Sequence, residues 1–343
     1  MKHIFLLLAL SAVVASCSNK AEHVEKAFYY WKSNEWGLTE AEDSAVKKIN
    51  PDKLYVKFFE VARDEMMGNI PVAKSQVFNY PKFEYDGITA IPTVYINNDV
   101  FINSSDKEID SLAVNVNFLI SKYYKERYLA DKPKEIQMDC DWTPKSRDNY
   151  FKFLRKLKKA ANTTLSCTLR LYPYKYPKKM GVPPVDKVML MCYNLVNPLQ
   201  NEDTNSILDT EELSKYLNKK RKYPLHTDIA LPVFSWMQVY QNKRFKGLIY
   251  PEAASVKKIL KPVRPLWYEV IKDTVINDHY LRTGDLVKYE EITSPKIKMA
   301  IKIIKENVAL DKTITVALYH LDEKELNKFY YETLIGFYSS FSE

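Results

Sequence analysis

Glycine is scarce in this chain, with 7 in 343 residues. No Gly-rich phosphate loop follows any strand-like run, which argues against an open doubly wound nucleotide-binding sheet. Cysteine is scarce as well. Of the 4 cysteines, Cys140, Cys167 and Cys192 fall in strand-like runs. They form no CxxC pair and are odd in number, so neither a disulfide framework nor a zinc site is indicated. Each reads as a small buried hydrophobe. The 5 histidines (His3, His23, His226, His279 and His320) are scattered without ligand spacing, and no metal or other cofactor is expected. No segment past the N-terminus is long and apolar enough to span a bilayer. Nor does one sign of charge dominate: 51 Lys+Arg stand against 43 Asp+Glu, a formal +8. That excess is spread along the chain, so nucleic acid is not expected as a partner. There is no internal repeat and no low-complexity tract. Hydrophobic residues at 46% and charged residues at 27% exclude a disordered, collagen-like or multi-span membrane protein. What the chain has in abundance is aromatics: 25 Tyr, 15 Phe and 5 Trp.

The N-terminus reads MKHIFLLLALSAVVASCSNK. Lys2 precedes an apolar run from Ile4 to Val14, too short for a spanning helix. The run ends in Val14-Ala15-Ser16-Cys17, which resembles the bacterial lipoprotein signal. The resemblance implies cleavage before Cys17, acylation of Cys17 (palmitate among the chains) and attachment to a cell-envelope membrane by more than one acyl chain. Residues 1–16 are thus expected as the signal peptide and 17–25 as a tether. The location expected is extracytoplasmic, at the outer membrane in a Gram-negative cell. Ser18-Asn19-Lys20 carry no acidic run, so periplasmic and surface-exposed placements stay open.

Along the rest, strand-like and helix-like runs alternate. Strands are expected at 27–32, 53–61, 88–96, 134–141, 165–172, 187–193, 227–236 and 313–319. Helices are expected near 39–49, 106–127, 146–161, 210–221 and 295–307, with a closing helix from about 323. Eight strands with helical crossovers predict an α/β fold, a (β/α)8 TIM barrel. About 75 residues separate the seventh and eighth strands, too many for a plain loop. A small α+β insertion between strands 7 and 8 is therefore expected at 240–294, and the barrel at 26–239 and 295–343. The sequence carries no signal for an oligomeric state.

Side chains alternate between the faces of a strand. Asp139 and Asp141 share one face, with Cys140 on the other. Thr168, Arg170 and Tyr172 share a face as well, opposite Cys167, Leu169 and Leu171. Helices cover a barrel's outside, so the polar sets point inward, where unpaired charge is costly. One reading is a structural ion network joining the Asp pair to Arg170 and Lys57. The other is a site, because the Asp pair lies at the C-terminal end of its strand, the rim where barrel enzymes carry their chemistry. Trp31, Trp142 and Trp236 end or follow three strands, and Tyr172 and Tyr193 end two more. Flat aromatic faces beside acids and amides suit a sugar ring, although core packing is the commoner role for any one of them.

The fourth strand resembles that of the family-18 glycoside hydrolases, the chitinase and endo-N-acetylglucosaminidase group. Their motif, Asp-x-x-Asp-x-Asp-x-Glu, aligns with Ile136, Asp139, Asp141 and Thr143, so the two central acids match. Tyr193-Asn194 stands where the family has Tyr followed by Asp, and larger members also carry an α+β insertion after strand 7. The resemblance covers roughly residues 134–320. It implies catalytic roles for Asp139, Asp141 and Tyr193. Trp31, Glu60, Trp142, Arg170, Tyr172, Asn194 and Trp236 are the accompanying substrate-binding candidates. The departure is Thr143, since the family's Glu is the general acid and a threonine hydroxyl cannot supply that proton near neutral pH. Either the protein only binds a glycan, one containing N-acetylhexosamine among the candidates, or another carboxylate has taken the role. Glu60 and Asp64 are the nearest by topology. The competing class is a non-catalytic envelope lipoprotein that serves as a carbohydrate- or protein-binding module.

Overall fold

A computed structural model describes residues 20–32, 37–72, 87–128, 132–199, 203–217, 222–250, 256 and 258–343. The leader, Cys17 and the end of the expected 210–221 helix (218–221) lie outside the described residues.

Eight parallel strands form a closed ring: β1 (His23–Tyr30), β2 (Lys53–Asp64), β3 (Thr89–Ile96), β4 (Glu135–Asp139), β5 (Thr164–Leu169), β6 (Lys187–Met191), β7 (His226–Pro232) and β8 (Thr313–Tyr319). Closure is made by β1, which pairs with β2 on one side and β8 on the other; Ala27 faces both Lys53 and Ala317. The fold is thus a (β/α)8 barrel. Because β1 begins at His23 and Ala21 is buried, with its N–H bonded to the Phe341 carbonyl, residues 21–25 belong to the barrel and not to a tether. Strand β2 runs past the ring into an antiparallel hairpin with Gly68–Val72, where Gly68 takes a positive φ of 73°.

The helices explain themselves locally. Glu40–Ile49 opens on a capping box between Thr39 and Glu42 and stops at Asn50 in the left-handed region. Arg147–Ala161 stops at Asn162 in the same way. Their apolar stripes, together with Asp106–Tyr128 and Ser294–Asn307, cover the outward faces of the strands, and the main core lies between.

Inside the ring the usual apolar layers are replaced. The lowest layer is ionic: Lys53 Nζ meets Glu25 at 2.5 Å, and Lys187 Nζ meets Glu135 at 2.9 Å and Asp228 at 3.0 Å. Above it Tyr29 stacks on Tyr55, with centroids 5.0 Å apart, and donates its hydroxyl proton to Gln137. This plug closes the barrel from below and leaves the C-terminal mouth open.

Several strand ends differ from expectation. Leu171–Lys175 is a short helix, so Arg170 and Tyr172 stand beyond β5. The polypeptide leaves β7 at Pro232, and Trp236 begins another sheet. That five-stranded antiparallel sheet comprises 236–241, 244–249, 260–264, 267–270 and 286–290, and has its own small core around Met237, Val239 and Val287. Among the described residues between β7 and Ser294–Asn307 there are further strands, a hairpin at 274–281 among them, and a helical residue at Val256.

Candidate functional site

The mouth holds a cavity of about 220 Å³. Its walls come from seven strands: Tyr29 on β1 and Trp31 just after it, Glu60 on β2, Tyr95 on β3, Asp139 and Asp141 at β4, Thr168 and Arg170 at β5, Met191 on β6 with Tyr193 and Asn194 after it, and Tyr319 on β8. Each inward position follows from the two-residue period of its strand.

One side is aromatic. Tyr319 stacks on Tyr193 at 5.2 Å between centroids, and Trp31 lies 5.9 Å from Tyr319 and 6.0 Å from Tyr29. The other side is polar. Asp139 Oδ1 accepts a 2.6 Å hydrogen bond from Thr168 Oγ1. Asp141, half-exposed, places Oδ1 3.6 Å from Arg170 Nε, and Arg170 also donates to the Asn194 carbonyl at 2.8 Å. Lys57, nearly buried, pairs with Glu60 at 2.7 Å and lies 5.7 Å from the Trp31 ring centre. The buried side-chain oxygen of Asn194 has no hydrogen-bond partner within the protein, an acceptor left open for a ligand.

Burial, then the neighbouring Asp141 charge, pushes the Asp139 carboxyl up to about 7, against the Thr168 hydrogen bond. Asp139 therefore exchanges its proton near neutral pH and can donate as well as accept. Burial raises the Tyr193 and Tyr319 hydroxyls far above their usual range, and burial followed by the Asp139 charge brings Tyr95 to about 12. These phenols stay protonated as donors at neutral pH.

Beside the cavity, across the Asp141–Arg170 pair, lies a groove of about 300 Å³ lined also by Trp142, Thr143, Pro144, Tyr172, Pro173 and Met180. Thr143 opens on this groove and not on the cavity. Its N–H donates to Ser146 Oγ at 2.9 Å, and the two hydroxyl oxygens are 3.4 Å apart. Ser146 precedes the helix Arg147–Ala161, so Thr143 is tied to the start of that helix.

The fold gathers Trp31, Glu60, Asp139, Asp141, Arg170, Tyr193 and Asn194 around one hollow. It separates others from it. Trp142 is 4% exposed, packs on Tyr150 and Phe151, and donates Nε1 to the Met180 carbonyl; with Tyr172 it borders the groove. Trp236 does not line the cavity. Its Nε1 donates to Glu290, a fully buried carboxylate that also accepts from the Ser206 backbone and hydroxyl and pairs with Lys288 at 2.8 Å. Trp236 thus bonds across the insertion sheet to its register partner, and Glu290, through Ser206, links that sheet to the barrel. Asp64 turns the β2 hairpin, accepting from Met66 and Met67 N–H, and is not among the residues that line the cavity. Tyr29, Tyr95, Thr168, Met191 and Tyr319 were not among the candidates. Alternation had placed Thr168 on the inward face with Arg170, and the same period could have found Tyr29, two residues before Trp31. Among the described residues no group of three His, Cys, Asp or Glu side chains is arranged to hold a metal ion.

These features define the class as a (β/α)8 barrel with an occupied lower half and a pocketed C-terminal mouth. No protein-family model matches the chain, and a search of curated proteins gave no match. Solved structures do resemble it. The spore cortex-lytic enzyme SleL of Bacillus cereus superposes with a TM-score of 0.56 at 15% identity, over 94% of this chain and 75% of SleL. A chitinase of Chromobacterium violaceum gives 0.55 at 11% identity, over 92% of this chain and 98% of its own. A mutant of catalytic domain 2 of the Ostrinia furnacalis Group II chitinase, solved with penta-N-acetylchitooctaose, gives 0.56 at 10% identity, over 92% and 95%. At these identities the likeness is one of fold.

Proposed function

We propose that the protein is a glycan-binding barrel, anchored outside the cytoplasm through lipid on Cys17, that has the frame of a family-18 glycoside hydrolase without its general acid. The observation that carries this reading is the pairing of an aromatic-walled cavity around Asp139 and Asp141 with a Thr143 bound to Ser146 and turned away from that cavity. Trp and Tyr rings beside hydrogen-bonding acids and amides suit a sugar ring. Retaining or inverting hydrolysis needs an acid that can protonate the leaving oxygen, and the motif position for it holds a hydroxyl already engaged. The ligand reading, an oligosaccharide containing N-acetylhexosamine, is supported by the chitooligosaccharide in the Ostrinia neighbour. The envelope location is supported by the leader sequence, Lys2 to Cys17.

Titration calorimetry with chitooligosaccharides tests the binding. Trp31→Ala and Asp141→Asn should each weaken affinity about tenfold or more with the thermal melt unchanged. Equal affinity for both variants and the native chain would overturn the site. A second reading, hydrolysis with Glu60 as replacement acid, is favoured by its place on the cavity wall. Reducing-end release by the native chain that vanishes in Glu60→Gln would establish it over the binder.

A further inference from the structure

We infer that the bound glycan is anionic and that the groove beside the cavity takes its charged unit. This rests on the glycan-binding reading above and adds the charge class of the ligand. Cavity and groove share Asp141 and Arg170, so a ligand longer than one unit that fills the cavity continues across this pair into the groove.

The two compartments differ in charge balance. On the cavity wall Glu60 is matched by Lys57 behind it, and Arg170 by Asp141. In the groove the one acid is Asp141, already shared with Arg170, and Thr143 is neutral. Around the groove the cations accumulate. The Tyr172 hydroxyl accepts from Lys179 Nζ at 3.0 Å, and that ammonium lies 5.6 Å from the Tyr172 ring centre. Tyr176 packs 4.8 Å from Tyr172 to widen the platform. Lys145 adjoins Pro144 of the lining; Lys178 and Lys179 precede Met180. All three lysines are exposed, and none makes an ion pair with a described residue. Arg147, at the same edge, is already paired with Asp148.

A neutral sugar on Tyr172 would leave these ammonium groups in water and gain nothing from them. A carboxylate or sulfate on the sugar would sit in an uncompensated positive field, and its attraction would fade with added salt. The shared chemistry is an anionic substituent on the unit that follows the one held in the cavity.

Three probes of one backbone test this with the full chain: chitohexaose, its 6-carboxylate and its 6-sulfate, titrated at low salt and at about 0.5 M NaCl. At low salt at least one anionic form should bind about fivefold or more tighter than chitohexaose, and whichever leads identifies carboxylate or sulfate as the group. The advantage should shrink at high salt. In a Lys145→Glu, Lys178→Glu chain it should disappear, with the affinity for chitohexaose retained. Chitohexaose binding as tightly as both anionic forms would overturn the inference and leave the glycan reading standing. An advantage that survives in the double variant would overturn it too, as would displacement of the anionic probe by polyglutamate at equal charge. Failure of all three probes to bind would bring down the glycan reading itself.

Discussion

Asp139 owes its character to position. It closes β4, faces into the mouth, and has Asp141 on the same side two residues on. Because burial pushes its carboxyl up to about 7, the folded state keeps the proton longer than the unfolded chain does. Stability therefore falls as pH rises from the ordinary aspartate value of about 4 towards 7. Asp139→Asn removes that penalty and keeps the Thr168 hydrogen bond. Urea unfolding should show the variant near the native chain at pH 4 and more stable by about 4 kcal/mol at pH 8, about 1.4 kcal/mol for each pH unit between the two values. A variant weaker than the native chain at pH 8 would contradict the burial account. At this scale the sequence was legible wherever a two-residue period sufficed, as for Asp139, Asp141 and Arg170. It was opaque for Trp236. An indole N–H shielded from water needs an acceptor, and its acceptor, Glu290, lies 54 positions away in a sheet whose pairing no local pattern encodes.

The strands were legible as elements and their ends were not. Strand β4 stops at Asp139, with Thr143-Pro144 soon after, and β5 gives way to a helix at Leu171. A residue before proline avoids the helical region, but the ladder ends earlier, where neighbouring strands diverge at the rim. The faces of Asp141 and Arg170 still come out correctly because both residues lie close beyond their strands. The ionic layer at the barrel's other end was not foreseen, since its members come from β1, β2, β4, β6 and β7. There His226 bonds Asp228 at 3.1 Å and Asp311 at 2.9 Å. The Asp228 hydrogen bond chiefly, against burial, raises the His226 imidazole above its usual value. Asp228 in turn, despite burial, is held down to about 2 by His226 and Lys187. Stabilisation by His226 is complete below about 6.5 and is lost as pH rises through its elevated folded value. The gap in melting temperature between the native chain and His226→Gln should thus be wide at pH 6 and narrow at pH 9. A gap of constant width would show the ring to be a neutral spacer.

For the whole molecule, composition and alternation of runs were enough to predict the barrel, because eight strand-like segments with helical crossovers admit few closed arrangements. An insertion at 240–294 was expected from the length of the connection; the order of its antiparallel sheet was not, because 286–290 joins 236–241 to 267–270 from far along the chain. Cys140, Cys167 and Cys192 are distributed around the barrel wall and at most 1% exposed, and burial raises each thiol. They serve as reporters of global opening. In native buffer the three should resist an aromatic disulfide reagent, and their labelling in urea should track the loss of circular dichroism. Fast labelling of any one in native buffer would reveal a local breach in the wall.

The seam between β1 and β8 has a consequence for biogenesis. Residues 23–30 wait for residues 313–319 before their second hydrogen-bonding border is filled, and until then β1 and β7 are both bare rims able to recruit foreign strands. A nascent polypeptide of this kind stays adhesive until residues 313–319 have emerged, so whatever escorts it must shield two borders at once and release them together.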